Sequence, residues 1–407
     1  MILAFILFVF KRRKAKLAPD AKIKLKYDDD DLLLLTPGPV KLHPRVLKAL
    51  SSPVRYHREK SFIDSLDFVT KSISNLEETN NLTVPITGSG TAAMDSAISS
   101  MIKRESKVLS FVNGAFSERL YNISKYYSDN VTPYFKEWGK AITAEDTKKA
   151  FDEKEFDFVT LVHNETSTGV LNPMDEIMQE VNKRGTISIV DGVTSVGGDR
   201  VEVDRWGIDA MITASQKCLG GPPGVSFVTL SSRALSIIEK SDRGQNYYLD
   251  IRNYIKGGRV DVPFTTATSL IIALEEAIAM IYEEGLDNRI NRHRLMGKAI
   301  RAGAQAMGLE LLAERGHESN TVTAVKIPEK AESVVSQGKK YGVLFAGGQG
   351  KLAGKIIRIG HMNTVGEREV LTGLSVLDAV LTDLGIAHET GKGTLAALKE
   401  FSSASRN

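Results

Sequence analysis

A single cysteine in 407 residues leaves no intramolecular disulfide and no multi-cysteine zinc site open to this chain, so its composition suits a reducing compartment such as the cytoplasm. A surplus of one charge is missing too. The 53 Lys and Arg against 50 Asp and Glu leave a formal charge of +3, which is not the footprint of a nucleic-acid binder, and no nucleic-acid partner is expected. No repeat of fixed period is visible. Apolar runs long enough to cross a bilayer are also lacking: residues 1–10 (MILAFILFVF) would cover about 15 Å as a helix against about 30 Å of hydrocarbon. The basic cluster Lys11-Arg12-Arg13-Lys14 follows that run instead of preceding it, the reverse of a secretory signal. Residues 1–31 therefore read as an N-terminal extension, with no membrane contact expected through residues 1–14. The carboxylates at 28–31 read as a solvated linker, because consecutive acids do not converge on an ion without a turn, and no metal site is expected.

What is present is a large globular composition, 42 % apolar and 25 % charged, long enough for two or three structural units. From Leu32 onward short apolar runs alternate with longer amphipathic stretches, the pattern of βαβ units around a mostly parallel sheet. Seven strands are expected near residues 83–87, 107–112, 131–135, 157–163, 186–191, 209–214 and 225–230. The fold class is α/β, with a large unit over 32–270, a smaller α+β unit over 271–386 containing strands near 321–327 and 355–359, and a frayed helix and tail over 387–407.

Three features carry chemistry. Gly88-Ser89-Gly90-Thr91 lies between a strand and a helix, where backbone N–H groups and the helix dipole suit a phosphate. With Ala93 it also fits G-x-G-x-x-A, but the next strand ends Phe111-Val112-Asn113-Gly114 without the acidic residue a dinucleotide site needs, and a turn without ligand is equally compatible. Asp191 ends the run Ile187-Ser188-Ile189-Val190, and Lys217 follows Ala210-Met211-Ile212-Thr213-Ala214 after Ser215-Gln216, so both fall at strand C-terminal ends, where α/β sheets bind ligands. Alone, each is an ordinary cap or surface charge. Together with the phosphate cup they meet the needs of pyridoxal 5′-phosphate: an amine for the Schiff base, a carboxylate to keep the pyridine nitrogen protonated, and a seat for the ester phosphate.

Thr36-Pro37-Gly38-Pro39-Val40, Gly88-Ser89-Gly90-Thr91, Asn113-Gly114, His163-Asn164-Glu165-Thr166-Ser167-Thr168-Gly169, Val190-Asp191-Gly192-Val193, Ser215-Gln216-Lys217 and Arg358-Ile359-Gly360 resemble the class V aminotransferases, nearest to the alanine–glyoxylate and serine–pyruvate (serine–glyoxylate) group. The resemblance runs in order from about residue 34 to 386. It implies a fold-type I transferase in which Lys217 bears the cofactor and shuttles the proton and Asp191 pairs with the pyridine nitrogen. It further implies that Ser89, Gly90, Thr91 and Gln216 hold the phosphate, that Thr166 sits near the ring hydroxyl, and that Val193 and Phe116 lie on the two ring faces. Such enzymes complete the phosphate site from the neighbouring subunit, which points to Thr265 or Thr266 and to a homodimer, although the pattern expected there is not kept in Phe264-Thr265-Thr266.

Arg358 lies in an alternating segment, with Ile357 and Ile359 facing one way and its guanidinium the other. That group suits a bidentate carboxylate contact, or a structural salt bridge. The resemblance implies the first, and with Gly38 as a close backbone wall it implies small donors (alanine or serine) and small acceptors (glyoxylate or pyruvate). Other class V chemistries, a phosphonate aminotransferase or a cysteine desulfurase, and a catalytically silent binding protein on the same fold, compete with this reading. A desulfurase needs a mobile thiol, and Cys218 beside Lys217 is poorly placed for one. No role is assigned to His57-Arg58.

Overall fold

The computed structural model describes residues 32–241 and 244–404. The apolar and basic start and the acidic run at 28–31 lie outside the described residues. The seven expected strands form one sheet: β2 (Leu82–Thr87), β3 (Lys107–Val112), β4 (Asn130–Phe135), β5 (Phe158–Val162), β8 (Ile187–Asp191), β9 (Ala210–Ala214) and β10 (Val225–Leu230). Short pairs, β6 (Asn164–Glu165) with β7 (Val170–Leu171) and β11 (Ile255–Lys256) with β12 (Arg259–Val260), decorate the loops. The strand order is β2-β10-β9-β8-β5-β3-β4, with β10 antiparallel to both neighbours and every other pair parallel. Because β10 opposes β2 and β9 alike, β2 runs with the rest, and its C-terminal end joins the edge where β3, β5, β8 and β9 also end. All residues of β5, β8, β9 and β10 are buried, as a sheet covered by helices on both faces requires. The strands divide their side chains between two cores: Val159, Leu161, Val190 and Met211 face one layer, and Phe158, Val162, Ile189 and Ile212 the other.

A second sheet has the order β1-β14-β15-β13, built from β1 (Leu33–Leu35), β13 (Val322–Lys326), β14 (Val343–Gly347) and β15 (Ile356–Gly360). Helices Leu286–Ala306, Ala331–Lys340, Glu367–Asp383 and Lys392–Ala404 cover it around a core that includes Leu35, Ile300, Phe345, Ile357, Leu377 and Phe401.

Three segments pack in ways their local pattern does not show. Leu33 to Leu35 pair in parallel with Val343 to Phe345, so the start of the first unit is an edge strand of the second sheet. Helix Thr268–Glu284, which follows residue 270, packs Ile271, Leu274, Ile278 and Ile281 into the core of the large sheet. The segment expected as a frayed helix and tail holds a packed helix over Lys392–Ala404 with Ala397 and Phe401 buried. Its small residues signal close helix contact here, since a Cβ on Gly393 would collide with Met307. β14 was not anticipated, because its Gly-rich end masks the strand pattern. Among the described residues no helix is long and apolar enough to cross a membrane.

Candidate active site

The turn after β9 carries Lys217, 9 % exposed, with its Nζ donating to the carbonyls of Pro37 (2.6 Å) and Gly38 (3.3 Å). Burial, and next the Arg358 guanidinium, push this amine down to about 8. The 36–40 loop is held on that turn by the Val40 N–H donating to the Gln216 carbonyl (3.1 Å). Gly38 adopts φ +89°, and a Cβ there would lie 2.7 Å from Lys217 Nζ, so this position accepts no side chain. The backbone at Gly38 therefore packs directly against the amine.

Asp191 closes β8, 4 % exposed, and accepts from the Val193 N–H (2.8 Å). Burial pushes its carboxyl up to about 7 against that hydrogen bond, and the charges of Glu165, Arg119 and Lys217 all act on it. The loop after β5 lies beside it. Thr166 Oγ1 is 2.9 Å from Thr194 Oγ1, and Asn164 Nδ2 donates to the Thr194 carbonyl (3.0 Å).

Glu165, fully buried, is the organising group of that loop, and sequence reasoning gave it no role. Its carboxylate accepts from the backbone N–H groups of Phe116 (3.3 Å), Ser117 (2.9 Å) and Ser167 (3.1 Å) and from both serine hydroxyls. A carboxylate at the first N–H groups of helix Ala115–Tyr127 suits that helix end and fixes Phe116. A signal was present, because the acid follows an apolar strand and precedes Thr166, Ser167 and Thr168.

Helix Gly90–Met101 opens at the same edge. Ser89 at its N-cap is exposed and makes no side-chain capping bond, so the start of this helix is left without a side-chain cap. A Cβ on Gly90 would lie 3.1 Å from Val193 and 3.4 Å from Ala214, which shows how closely this helix end meets Val193 and the end of β9. Thr91 Oγ1 accepts from Arg119 (3.0 Å), whose guanidinium lies 4.9 Å from the Phe116 ring centre. Arg119, three residues after Phe116 on one helix face, also escaped the sequence reading. Gln216 has a buried Oε1 without a partner. Thr265 stands apart, exposed, while its neighbour Thr266 bonds Thr87 at the end of β2 (2.9 Å between hydroxyls).

Arg358 sits on β15 opposite Ala324 and Ala346, two small residues that leave its long side chain room. It is 5 % exposed; its Nε donates to the Gly347 carbonyl (2.9 Å) and Nη1 to the Thr166 carbonyl (3.4 Å). Burial pushes the guanidinium down to about 10, still charged at neutral pH, and among the described residues it pairs with no carboxylate. Cys218 is fully buried, its Sγ donating to the Thr194 carbonyl (3.5 Å) and its thiol pushed up to about 12 by burial, so it is no mobile nucleophile.

These residues fit pyridoxal 5′-phosphate. A buried carboxyl raised toward neutrality without a basic hydrogen-bond partner is what a protonated ring nitrogen completes. An uncapped helix start suits a phosphate, and a lysine of lowered pKa is a competent imine former.

Residues 47–349 match the family model of the class-V aminotransferases. The chain is 44 % identical over 367 residues to an uncharacterized aminotransferase of Methanocaldococcus jannaschii, covering 89 % of this chain and 95 % of that protein. It is similar to the crystal structure of ureidoglycine–glyoxylate aminotransferase from Bacillus subtilis, with TM-score 0.86, 34 % identity, and 91 % and 98 % of the two chains covered. It is also similar to the crystal structure of alanine–glyoxylate aminotransferase from Nostoc sp., with TM-score 0.82, 33 % identity, and 86 % and 95 % covered.

Proposed function

Because the chain belongs to the class-V aminotransferase family, we propose that it moves the amino group of a small amino acid, alanine or serine, to a small 2-oxo acid, glyoxylate or pyruvate, in two successive half-reactions. Its substrates are amino and 2-oxo acids, and its cofactor is pyridoxal 5′-phosphate. When bound, that cofactor holds the substrate nitrogen covalently and takes into its ring the electrons released at the α-carbon.

The chain's own residues do the rest. Lys217 would hold the cofactor, and its free amine would take the α-proton and return it; with its pKa lowered to about 8, far more of this amine is free base near neutral pH than of an ordinary lysine. Asp191 holds the ring nitrogen in its protonated form. Ser89, Gly90, Thr91 and Gln216 would hold the phosphate, Thr166 would lie near the ring hydroxyl, and Val193 and Phe116 would flank the ring. Glu165 keeps Phe116 in place.

The observation that carries the substrate class is Arg358, a buried guanidinium that among the described residues makes no salt bridge, aimed by two carbonyls and facing Lys217 closely enough to depress its pKa. It receives the substrate α-carboxylate, and the Gly38 wall restricts the donor side chain. The Bacillus and Nostoc structures bear names that share glyoxylate, which supports that acceptor. The test is a donor panel of L-alanine, L-serine, L-aspartate and L-glutamate with glyoxylate or pyruvate, followed by appearance of the new amino acid. Alanine or serine with glyoxylate should give the highest kcat/KM; preference for glutamate contradicts the substrate reading.

The same proposal includes a homodimer in which Thr265, exposed on its own protomer, completes the partner's phosphate site, and a cytoplasmic location suited to a lone thiol. Thr265→Ala should weaken cofactor retention without changing the elution volume expected of a dimer. Full activity of a monomer at nanomolar concentration contradicts the shared site.

A further inference from the structure

Arg358 and Lys217 stand on different sheets, yet a substrate gripped by one must present its α-proton to the other, so the spacing between them has to be held. Their own contacts hold it weakly. Arg358 reaches the large sheet through one bond of 3.4 Å to the Thr166 carbonyl, and the Lys217 amine has to leave the Pro37 and Gly38 carbonyls to react.

A second buried arginine spans the gap. Arg289, on the first turn of helix Leu286–Ala306, is 4 % exposed. Its Nε donates to the Gly197 carbonyl (3.0 Å), and its Nη2 donates both to the Cys218 carbonyl (2.7 Å) and to Asn363 Oδ1 (2.9 Å). Gly197 lies in the loop after Asp191, Cys218 follows Lys217, and Asn363 comes five residues after Arg358. One guanidinium thus grips the backbone after each of the two large-sheet strands that carry the chemistry, together with the segment that leaves β15.

Asn363 is in turn fixed from every side. It adopts φ +62°, its N–H donates to His293 Nε2 (2.9 Å), its carbonyl accepts from Arg292 (2.6 Å), and its Nδ2 donates to the Lys41 carbonyl (3.4 Å). His293 can accept there because its Nδ1 donates to the Arg289 carbonyl (2.8 Å), which defines a neutral tautomer. Glu284 accepts from both Arg289 (2.8 Å) and Arg292 (2.6 Å), giving the buried guanidinium its counter-charge. The fit is tight: a Cβ on Gly220 would lie 2.9 Å from Asn363 Cγ.

We propose that Arg289 is a positioning residue which, through Asn363, ties the segment after Arg358 to the carbonyl after Lys217 and so sets the distance the substrate α-proton travels. This deepens the transamination reading and rests on it. Two variants test it. Arg289→Lys keeps a charge beside Glu284 but replaces a planar fork with one ammonium that cannot reach the other three acceptors. Asn363→Gly removes the side chain with both its Oδ1 and Nδ2 contacts, and glycine accepts the left-handed backbone without strain.

Each variant should lower kcat about tenfold or more while KM for amino acid and for glyoxylate stays within about threefold, because binding is kept and approach geometry is lost. The primary isotope effect on kcat with α-deuterated L-alanine should rise above the wild-type value, since proton transfer is the step retarded. In cofactor-free protein, amide exchange of residues 218–221 should accelerate in Asn363→Gly while 107–112 stays unchanged. A folded Asn363→Gly with wild-type kcat, or a loss carried by KM with an unchanged isotope effect, overturns the proposal, and this variant decides alone if Arg289→Lys does not fold. Wild-type turnover of L-alanine, L-serine or L-aspartate with glyoxylate is measured first. Its absence refutes the transamination reading, while the exchange comparison still decides whether the bridge holds the Lys217 turn.

Discussion

Replacing Arg358 with lysine separates cofactor chemistry from substrate recognition. In the wild type the guanidinium is already oriented before substrate arrives, with Nε on Gly347 and one Nη1 hydrogen on Thr166, so its remaining N–H groups are pre-aimed and little side-chain entropy is left to lose. A lysine ammonium cannot keep both carbonyls and also present two parallel donors to a carboxylate. Truncating one partner of a buried charge-assisted contact costs roughly 2–5 kcal/mol. At about 1.4 kcal/mol per tenfold this is about 30-fold or more in kcat/KM, for every carboxylate substrate alike. Two assays are needed: steady-state kcat/KM across the donor panel, and the absorption of the resting protein near about 400 nm, where imines of this cofactor absorb. The first should fall and the second should persist, because Lys217 and Asp191 are untouched. Normal kcat/KM in the variant, or a loss confined to one donor, would refute the carboxylate role.

Gly38→Ala should abolish the 400 nm band, since the new methyl occupies the space of Lys217 Nζ at a backbone angle (φ +89°) that alanine resists; a yellow, active variant contradicts the wall. Cys218→Ala should keep most aminotransferase activity, because the thiol is buried and raised to about 12, and complete loss would reopen a desulfurase reading. Glu77 is fully buried, and burial, opposed by Thr229, pushes its carboxyl up to about 8. The folded state therefore keeps a proton that the unfolded chain has released above about 4.5, so the stability this group contributes is present at low pH and is lost as pH rises through about 8. Glu77→Gln should melt like the wild type near pH 4.5 and several degrees above it at pH 8 to 9, and a gap that does not widen with pH refutes the buried-acid assignment.

The parts of this molecule legible in its sequence are those set by local pattern. Buried runs such as Ile187–Asp191 and Ala210–Ala214 announce parallel strands, and their last residues announce the edge where Asp191 and Lys217 meet. Gly38, Arg358 and the 88–91 loop were visible for the same reason, each at a turn or on an alternating strand. What escaped depends on partners far along the chain. Leu33 to Leu35 are three leucines without an alternating face until Val343 to Phe345 lie beside them, about 310 residues on. Arg289 reads as one more charge on a basic helix until Gly197, Cys218 and Asn363 converge on it. Glycine was ambiguous throughout: at 347–350 it hid a strand end, and at 393 it suggested a loose tail where it allows two helices to touch.

The most direct test of the central claim is to reduce the holoprotein with borohydride, digest it, and locate the pyridoxyl label by mass spectrometry. The expected result is one label per chain on Lys217, with none on protein carrying Lys217→Ala. A label on another lysine, or none on a yellow protein, would contradict the assignment of Lys217 and with it the active site described above.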